Sequence, residues 1–368
     1  MEIPQSSKLV NVSEFSLRGI EGFARVERVD APAETLEEAA EVFERDGVVA
    51  LSPDCQIEMV DEQGNTLLTS VEELTINAGA QTVAELQTIW DSDKRDEVIK
   101  LRDYGAYNGT ERHMRTVSFA NVKEYFDFVI ELQHNLTPTM RRIVSDPTVE
   151  VSTDEDEGTV INLQLFDLDA PADTLQEHGA HTDRVDTTVI ICLDNVGPKG
   201  DFVYLKGYND ACRTLGLDPH RDFTGNMNRV LAEIPESVIF RVYGVHPGRM
   251  LVIRTDQDVH FISAKSRGDA GEGMLSGAEP WMLGENIIGR GVINAAFETE
   301  RCRRVFEHTK QIYSTTQGLD TLRGDDYFDT LDSALKTEIG AGRLDENELE
   351  NVRNACVTQM SAAQLYND

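Results

Sequence analysis

The spacing of apolar and polar positions divides the chain into three stretches of different texture. Residues 34–46 (ETLEEAAEVFERD) set apolar side chains at helical intervals, and the GVVAL that follows is a short β-prone run after a glycine stop, which predicts a helix and then a strand. From Asp61 to Asp103 acidic and apolar residues alternate in a mostly helical pattern. VKEYFDFVIELQHNLTPTMRRIV (122–144) predicts a longer amphipathic helix, or a helix pair interrupted near Pro138. Residues 1–145 are therefore expected to be mostly helical. The acidic run STDEDEG (152–158) reads as a solvated turn.

The period then changes from helical to extended. TVINLQLF, TTVIICL, DFVYL, SVIFRVY, RMLVIRT, HFIS and GVINAAF are short β-branched or aromatic runs separated by Gly, Pro, Asp and Asn. So many short strands in succession predict a sandwich or jelly roll over residues 146–300. After Phe297 the helical pattern returns, with FDTLDSALKTEI and ENELENVRNACVTQM placing apolar residues three and four apart within 301–368. No low-complexity linker and no repeat of solenoid period divides the chain. The expected class is α+β: one domain over 1–368, with a mainly β core wrapped by N- and C-terminal helices.

Composition narrows the function classes. Among 368 residues, 40% are apolar, but no run approaches the ~20 residues needed to cross a bilayer. The start MEIPQSSKLVNVSEF lacks the basic head and apolar centre of a secretory signal, so a cytoplasmic location is expected. A balance of 34 basic against 66 acidic residues, formally −32, repels phosphate backbones and anionic lipid, so neither nucleic acid nor membrane is an expected partner. The five cysteines are odd in number, widely separated and without a C-x-x-C pair, which points to reduced thiols rather than a disulfide framework or zinc knuckle. Hydrolase and nucleotide-kinase readings have no foothold, because neither Gly-x-Ser-x-Gly nor a phosphate-cradling glycine loop is present.

One constellation carries chemistry. In EHGAHTDRVDTTVIICLDN, His181 and Asp183 stand two apart at the approach to a strand, and in extended chain residues i and i+2 project to one side. An imidazole nitrogen and a carboxylate oxygen can thus converge on one ion. The candidate third ligand is His260, which follows the apolar strand and polar turn of GRMLVIRTDQDVHFIS. Two histidines and one carboxylate on one face of an octahedron leave three positions open, an arrangement suited to iron(II) that binds a chelating co-substrate and oxygen together. Zinc favours a tetrahedral site, often with thiolates, and no cysteine stands near these positions in sequence. Manganese and zinc stay open as alternatives to iron at this point.

Residues 160–297 resemble the double-stranded β-helix of the iron(II)/2-oxoglutarate-dependent oxygenases. That family has H-x-D on an early core strand, a distal histidine after a glycine-led apolar strand, and an arginine opening a late strand. The matching parts here are His181-Thr182-Asp183, then Gly248-Arg249-Met250-Leu251-Val252-Ile253 leading to His260, then Arg290-Gly291-Val292-Ile293-Asn294-Ala295-Ala296-Phe297. FERDGVVAL also resembles the helix-then-strand opening common in the family. The resemblance implies Fe(II), 2-oxoglutarate as co-substrate and dioxygen, with an arginine holding the far carboxylate of the keto acid. It implies hydroxylation of an unactivated C–H of a small molecule, amino-acid-like or a secondary metabolite, with release of succinate and carbon dioxide. Asp183 stands where related halogenases carry a small residue, which disfavours halogenation.

The chain departs from the family in the long interval between His260 and Arg290, which the glycine-rich, polar stretch KSRGDAGEGMLSGAEPWMLGENIIG explains as an inserted loop over 265–289. Arg267 competes with Arg290 for the co-substrate carboxylate, and His246 competes with His260 as ligand. His178 lies on the same segment as His181, as a pocket-lining or an exposed residue. Asn162 and Gln164 share one strand face in VINLQLF, where their amides either bond a co-substrate or substrate or are solvated. Two other function classes fit a jelly roll: a metal-dependent cupin-like isomerase or dioxygenase that uses no 2-oxoglutarate, and a non-catalytic small-molecule binding module.

Overall fold

The computed structural model describes residues 8–15, 17, 19–29, 31–61, 63–90, 101–103, 114–118, 127–152, 160–167, 178–183, 185–195, 201–244, 248–256, 258–262 and 287–359. The strands in chain order are β1 (Lys8–Asn11), β2 (Phe23–Val29), β3 (Val48–Leu51), β4 (Gln56–Val60), β5 (Thr66–Ser70), β6 (Leu101–Asp103), β7 (Met114–Ser118), β8 (Glu150–Val151), β9 (Val160–Asp167), β10 (His178–His181), β11 (Thr187–Asn195), β12 (Phe202–Lys206), β13 (Ile239–Tyr243), β14 (Met250–Arg254), β15 (His260–Ile262) and β16 (Ile287–Glu298). The α-helices are α1 (Leu36–Asp46), α2 (Val71–Trp90), α3 (Asp127–Val144), α4 (Tyr208–Thr214), α5 (Phe223–Glu233), α6 (Glu300–Thr315), α7 (Gly324–Gly340) and α8 (Leu349–Gln359).

Strands β9 to β16 pair antiparallel in two ladders, β9-β16-β11-β14 and β10-β15-β12-β13, with the chain passing from one ladder to the other as it proceeds. This is the strand order of a jelly roll, an open two-sheet sandwich with no closed barrel. The remaining strands extend it: β3 beside β14, β7 and β6 beyond β9, β8 on β16, and β2 then β1 beyond β13, with β2 parallel to β13.

Period-two alternation decides which side chains meet. Ile190, Cys192, Leu251, Ile253 and Val292 of one sheet pack between the sheets against Phe202, Tyr204 and Tyr243 of the other. Their neighbours Val189, Ile191, Val252, Ile293 and Phe297 face outward and are covered by Phe43, Val71, Leu136 and Met140 of α1, α2 and α3. VIICL (189–193) is apolar throughout because β11 is buried on both faces. The outer face of the second sheet, with Val203, Leu205, Phe240 and Phe261, lies under Tyr208, Ala211, Met227 and Val230 of α4 and α5. Helices α6 to α8 hold a separate apolar cluster around Tyr327, Leu331 and Val352.

The N-terminal portion, expected to be mostly helical, also adds β1, β2, β3, β6 and β7 to the two sheets. Among the described residues of 61–103 the expected helical pattern resolves into strand β5, which forms a hairpin with the preceding β4, then helix α2 and strand β6. The hairpin forms because Asp61 accepts hydrogen bonds from the backbone of Gln63 and Asn65, while Gly64 takes φ 80°, the left-handed conformation that glycine tolerates. Helix α3 runs unbroken through Pro138. The next residue, Thr139, donates its hydroxyl to Glu58 O at 2.6 Å and accepts from Glu58 N at 2.8 Å, which ties that turn to β4. Among the described residues no helix is long and apolar enough to cross a membrane.

Candidate metal centre

His181 closes β10 and His260 opens β15, and the two are direct partners in the antiparallel register between those strands. Their rings lie 4.4 Å apart, centroid to centroid. Asp183, two residues past His181, is held by its backbone N–H, which donates to Thr255 O at 2.8 Å. Asp183 Oδ1 lies 3.5 Å from His181 Nε2 and its Oδ2 lies 3.7 Å from His260 Nε2. One donor atom from each of the three residues falls within 4.8 Å of the others. Cis ligands at bonds of about 2.1 Å stand about 3 Å apart, so a small closure brings this set onto one face of an octahedral ion.

The site is buried on one side and open on the other. His260 is 7% exposed at its side chain, whereas His181 and Asp183 are 23% and 25% exposed. Burial, reinforced by the neighbouring His181 and opposed by Asp183, lowers the pKa of His260 to about 4, so it is neutral and able to ligate at physiological pH. Its Nδ1 lies 3.3 Å from Asp258 O, a contact that favours the tautomer with Nε2 free for the ion. Phe202 packs its ring 5.6 Å from that of His260 and closes the inner side.

The supporting contacts converge on the start of α6. Thr188 Oγ1 lies 3.5 Å from Asp183 Oδ2 and 3.3 Å from Thr255 Oγ1, and Thr255 donates its hydroxyl to Val185 O at 2.8 Å. Asp186 O accepts from Thr255 N, while the Asp186 carboxylate accepts from both the backbone and the hydroxyl of Thr299, the N-cap of α6. Burial raises the Asp186 pKa, against the lowering effect of those hydrogen bonds. Two residues on, Arg301 pairs with Asp256 at 2.8 Å. The first turn of α6 therefore grips both the loop that carries Asp183 and the loop that leads into His260.

The same row of the sheet continues from His260 to Tyr204, Arg241 and Glu27. Tyr204 donates its hydroxyl to Asp258 Oδ2 at 2.5 Å. Gly47 leaves room for that hydroxyl: it has φ 74°, and a Cβ there would collide with Tyr204 Oη. Arg241 pairs with Asp46 at 2.6 Å, and Lys206 with the same carboxylate at 2.8 Å. Burial opposes ionisation of Asp46, but the hydrogen bonds from Arg45, Lys206 and Arg241 hold its pKa well below the usual carboxylate range.

The other sequence-derived candidates fall as follows. Arg290 lies inside β16, which begins three residues earlier at Ile287, so it does not open the last strand; the pairing of Ile287, Ile288 and Gly289 with Asp167, Phe166 and Leu165 extends the ladder backward. Gln164 is the register partner of Arg290 and Asn162 that of Val292, which packs between the sheets. His178 opens β10 opposite Ile262. His246, Arg267, residues 153–158 and most of the expected loop over 265–289 lie outside the described residues. Sequence reasoning missed Asp258, Asp186, Thr188, Thr255, Thr299 and Arg301.

No family model and no curated protein matches the chain. Solved structures do. A 2OG-Fe(II) oxygenase family oxidoreductase from Burkholderia pseudomallei is 9% identical, covering 74% of this chain and 94% of its own, with a TM-score of 0.38. The non-heme alpha ketoglutarate dependent epimerase SnoN from nogalamycin biosynthesis is 15% identical over 72% and 83%, with a TM-score of 0.40. A Pseudomonas putida prolyl-4-hydroxylase is 11% identical over 72% and 99%, with a TM-score of 0.32. The first of these is described as a 2OG-Fe(II) oxygenase family member and the second as alpha ketoglutarate dependent, and this chain has a His–Asp–His group of its own at the paired ends of β10 and β15.

Proposed function

We propose that the chain is a non-haem iron(II)- and 2-oxoglutarate-dependent oxygenase that hydroxylates an unactivated C–H bond of a small molecule, amino-acid-like or a secondary metabolite. The observation that carries this reading is the convergence of His181, Asp183 and His260 at one edge of a jelly roll, with one side open. Two imidazoles and one carboxylate match the donor set that leaves three adjacent positions for co-substrate and oxygen. Iron(II) held there, with 2-oxoglutarate and dioxygen, supplies the oxidising power while the keto acid is converted to succinate and carbon dioxide.

The protein's own groups do the positioning. His260 stays neutral through burial and is oriented by the Asp258 carbonyl. The Asp183 carboxylate is kept in place by the Thr255 carbonyl at its backbone and by Thr188 at its side chain. Arg290 anchors the far carboxylate of 2-oxoglutarate through a planar fork, and Asn162 and Gln164 add amides beside it; the direct pairing of Gln164 with Arg290 across the β9–β16 ladder supports that grouping. A carboxylate at position 183 favours hydroxylation over halogenation. The test is anaerobic reconstitution with iron(II), followed by a small-molecule panel scored for succinate. Stoichiometric iron with substrate-dependent succinate is expected. Turnover without succinate selects the cupin-like alternative, and no iron uptake selects a binding module.

A further inference from the structure

The hydroxyl of Tyr204 does something that packing does not require. Its side chain is fully buried in the apolar cluster between the sheets, with Ile190, Leu251 and Ile253, a place that Phe202 on the same strand fills without a polar atom. The fold keeps space for that hydroxyl at Gly47, the residue after α1, where φ is 74° and a Cβ would collide with Tyr204 Oη. The hydroxyl donates to Asp258 Oδ2 at 2.5 Å, the short end of the range for a hydroxyl on a carboxylate.

Asp258 is also the residue whose carbonyl lies 3.3 Å from His260 Nδ1. It stands between β14, which ends at Arg254, and β15, which opens at His260, so neither strand fixes it. One residue on, Val259 O accepts from Leu205 N at 2.9 Å. Strand β12 therefore grips the approach to His260 at two consecutive residues, by the backbone of Leu205 and by the hydroxyl of Tyr204, and Tyr204 is itself the register partner of His260. We infer that Tyr204 is a positioning residue for the metal centre: it fixes Asp258 so that the Asp258 carbonyl keeps His260 with its Nε2 turned toward the ion. The inference rests on the metal centre of the function proposed above and not on its co-substrate. A neutral imidazole ligates through Nε2 only with the proton on Nδ1 and the ring aimed at the ion, and freeing Asp258 releases both constraints. His260 thus has a support separate from that of Asp183, which runs through Thr255 and Asp186 to Thr299 of α6.

The experiment measures anaerobic iron(II) affinity for wild type, Tyr204→Phe, Asp258→Ala, Asp258→Asn and the double variant Tyr204→Phe/Asp258→Ala. Urea unfolding and circular dichroism of the metal-free proteins are recorded alongside, and the visible bands of the cobalt(II)-loaded proteins report ligand geometry without turnover. Tyr204→Phe is expected to bind iron(II) about ten- to a hundredfold more weakly, with native circular dichroism and altered cobalt bands. Asp258→Ala should lose as much, and the double variant no more than either single variant, because both act through one bond. Asp258→Asn keeps an acceptor for the hydroxyl and should stay close to wild type. Wild-type iron affinity in Tyr204→Phe overturns the inference alone, and so do losses that add in the double variant. Loss of native circular dichroism in Tyr204→Phe assigns the hydroxyl to the core and overturns it too. A wild-type protein that takes up neither iron(II) nor cobalt(II) overturns the proposed function and this inference together. If wild type binds iron(II) but not 2-oxoglutarate while Tyr204→Phe still weakens iron binding, the co-substrate chemistry falls and the positioning role stands.

Discussion

Thr299→Val tests whether the start of α6 governs the metal site. The hydroxyl of Thr299 donates to the Asp186 carboxylate and accepts from Cys302 N at 3.2 Å, so it serves at once as helix cap and as partner to a buried charge. When the hydroxyl is removed Asp186 loses its shortest hydrogen bond and keeps the longer ones from the Thr299 backbone N–H, at 3.2 and 3.3 Å. A hydrogen bond to a charged group is worth about 1.5–3 kcal/mol and an N-cap about 1 kcal/mol, so the substitution is expected to cost about 2.5–4 kcal/mol of folding stability. The loss should not stop at stability. The Asp186 carbonyl holds Thr255 N, and the Thr255 carbonyl holds Asp183 N, so the loop carrying the carboxylate ligand loosens with it. Disturbing groups that orient ligands commonly weakens metal binding by about ten- to a hundredfold. Urea unfolding of the metal-free protein measures the first effect, and anaerobic iron(II) titration measures the second. Thr299→Ser, which keeps both bonds, should behave as wild type. Wild-type iron affinity in a destabilised Thr299→Val would refute the argument that α6 positions the ligand loop.

Alanine at His181, Asp183 or His260 should abolish iron binding and turnover with the far-ultraviolet circular dichroism preserved; iron retained in His260→Ala but lost in His246→Ala would reassign the third ligand. Asp183→Gly should lose hydroxylation. Metal-free protein should lose stability as pH falls through the window from 6.5 to about 4, because a His whose folded pKa lies below its unfolded value is bought into the charged form only at the cost of the fold. That penalty is absent above pH 6.5, complete below about pH 4 and worth about 3 kcal/mol. His260→Gln should flatten this part of the pH profile in urea melts, and an unchanged slope would contradict the burial argument. Arg290→Ala should weaken 2-oxoglutarate binding about ten- to a hundredfold with iron affinity intact, read from the charge-transfer band; the same loss in Arg267→Ala, with Arg290→Ala like wild type, would transfer the anchor.

What could be read from the letters follows from the range of the interactions involved. The core strands were legible because their burial is written locally: VIICL is apolar on both faces, and RMLVIRT and SVIFRVY are bounded by turn residues. The triad was legible because H-x-D is a two-residue spacing and His260 ends a recognisable strand–turn segment. The hairpin β4–β5 was not, since an acidic–apolar alternation reads either way until the Asp61 turn chooses the extended form. The groups that hold the ligands were illegible for a stronger reason. Thr299 meets Asp186 across 113 residues and Arg301 meets Asp256 across 45, and nothing local in either member of a pair names the other. The H-x-D pair is thus a short-range feature of this sequence and the groups that support it long-range ones, so variants at the supports separate a real metal centre from a chance meeting of two histidines and an aspartate: only in the former does loosening Thr299 or Arg301 change the affinity of an ion that neither residue touches.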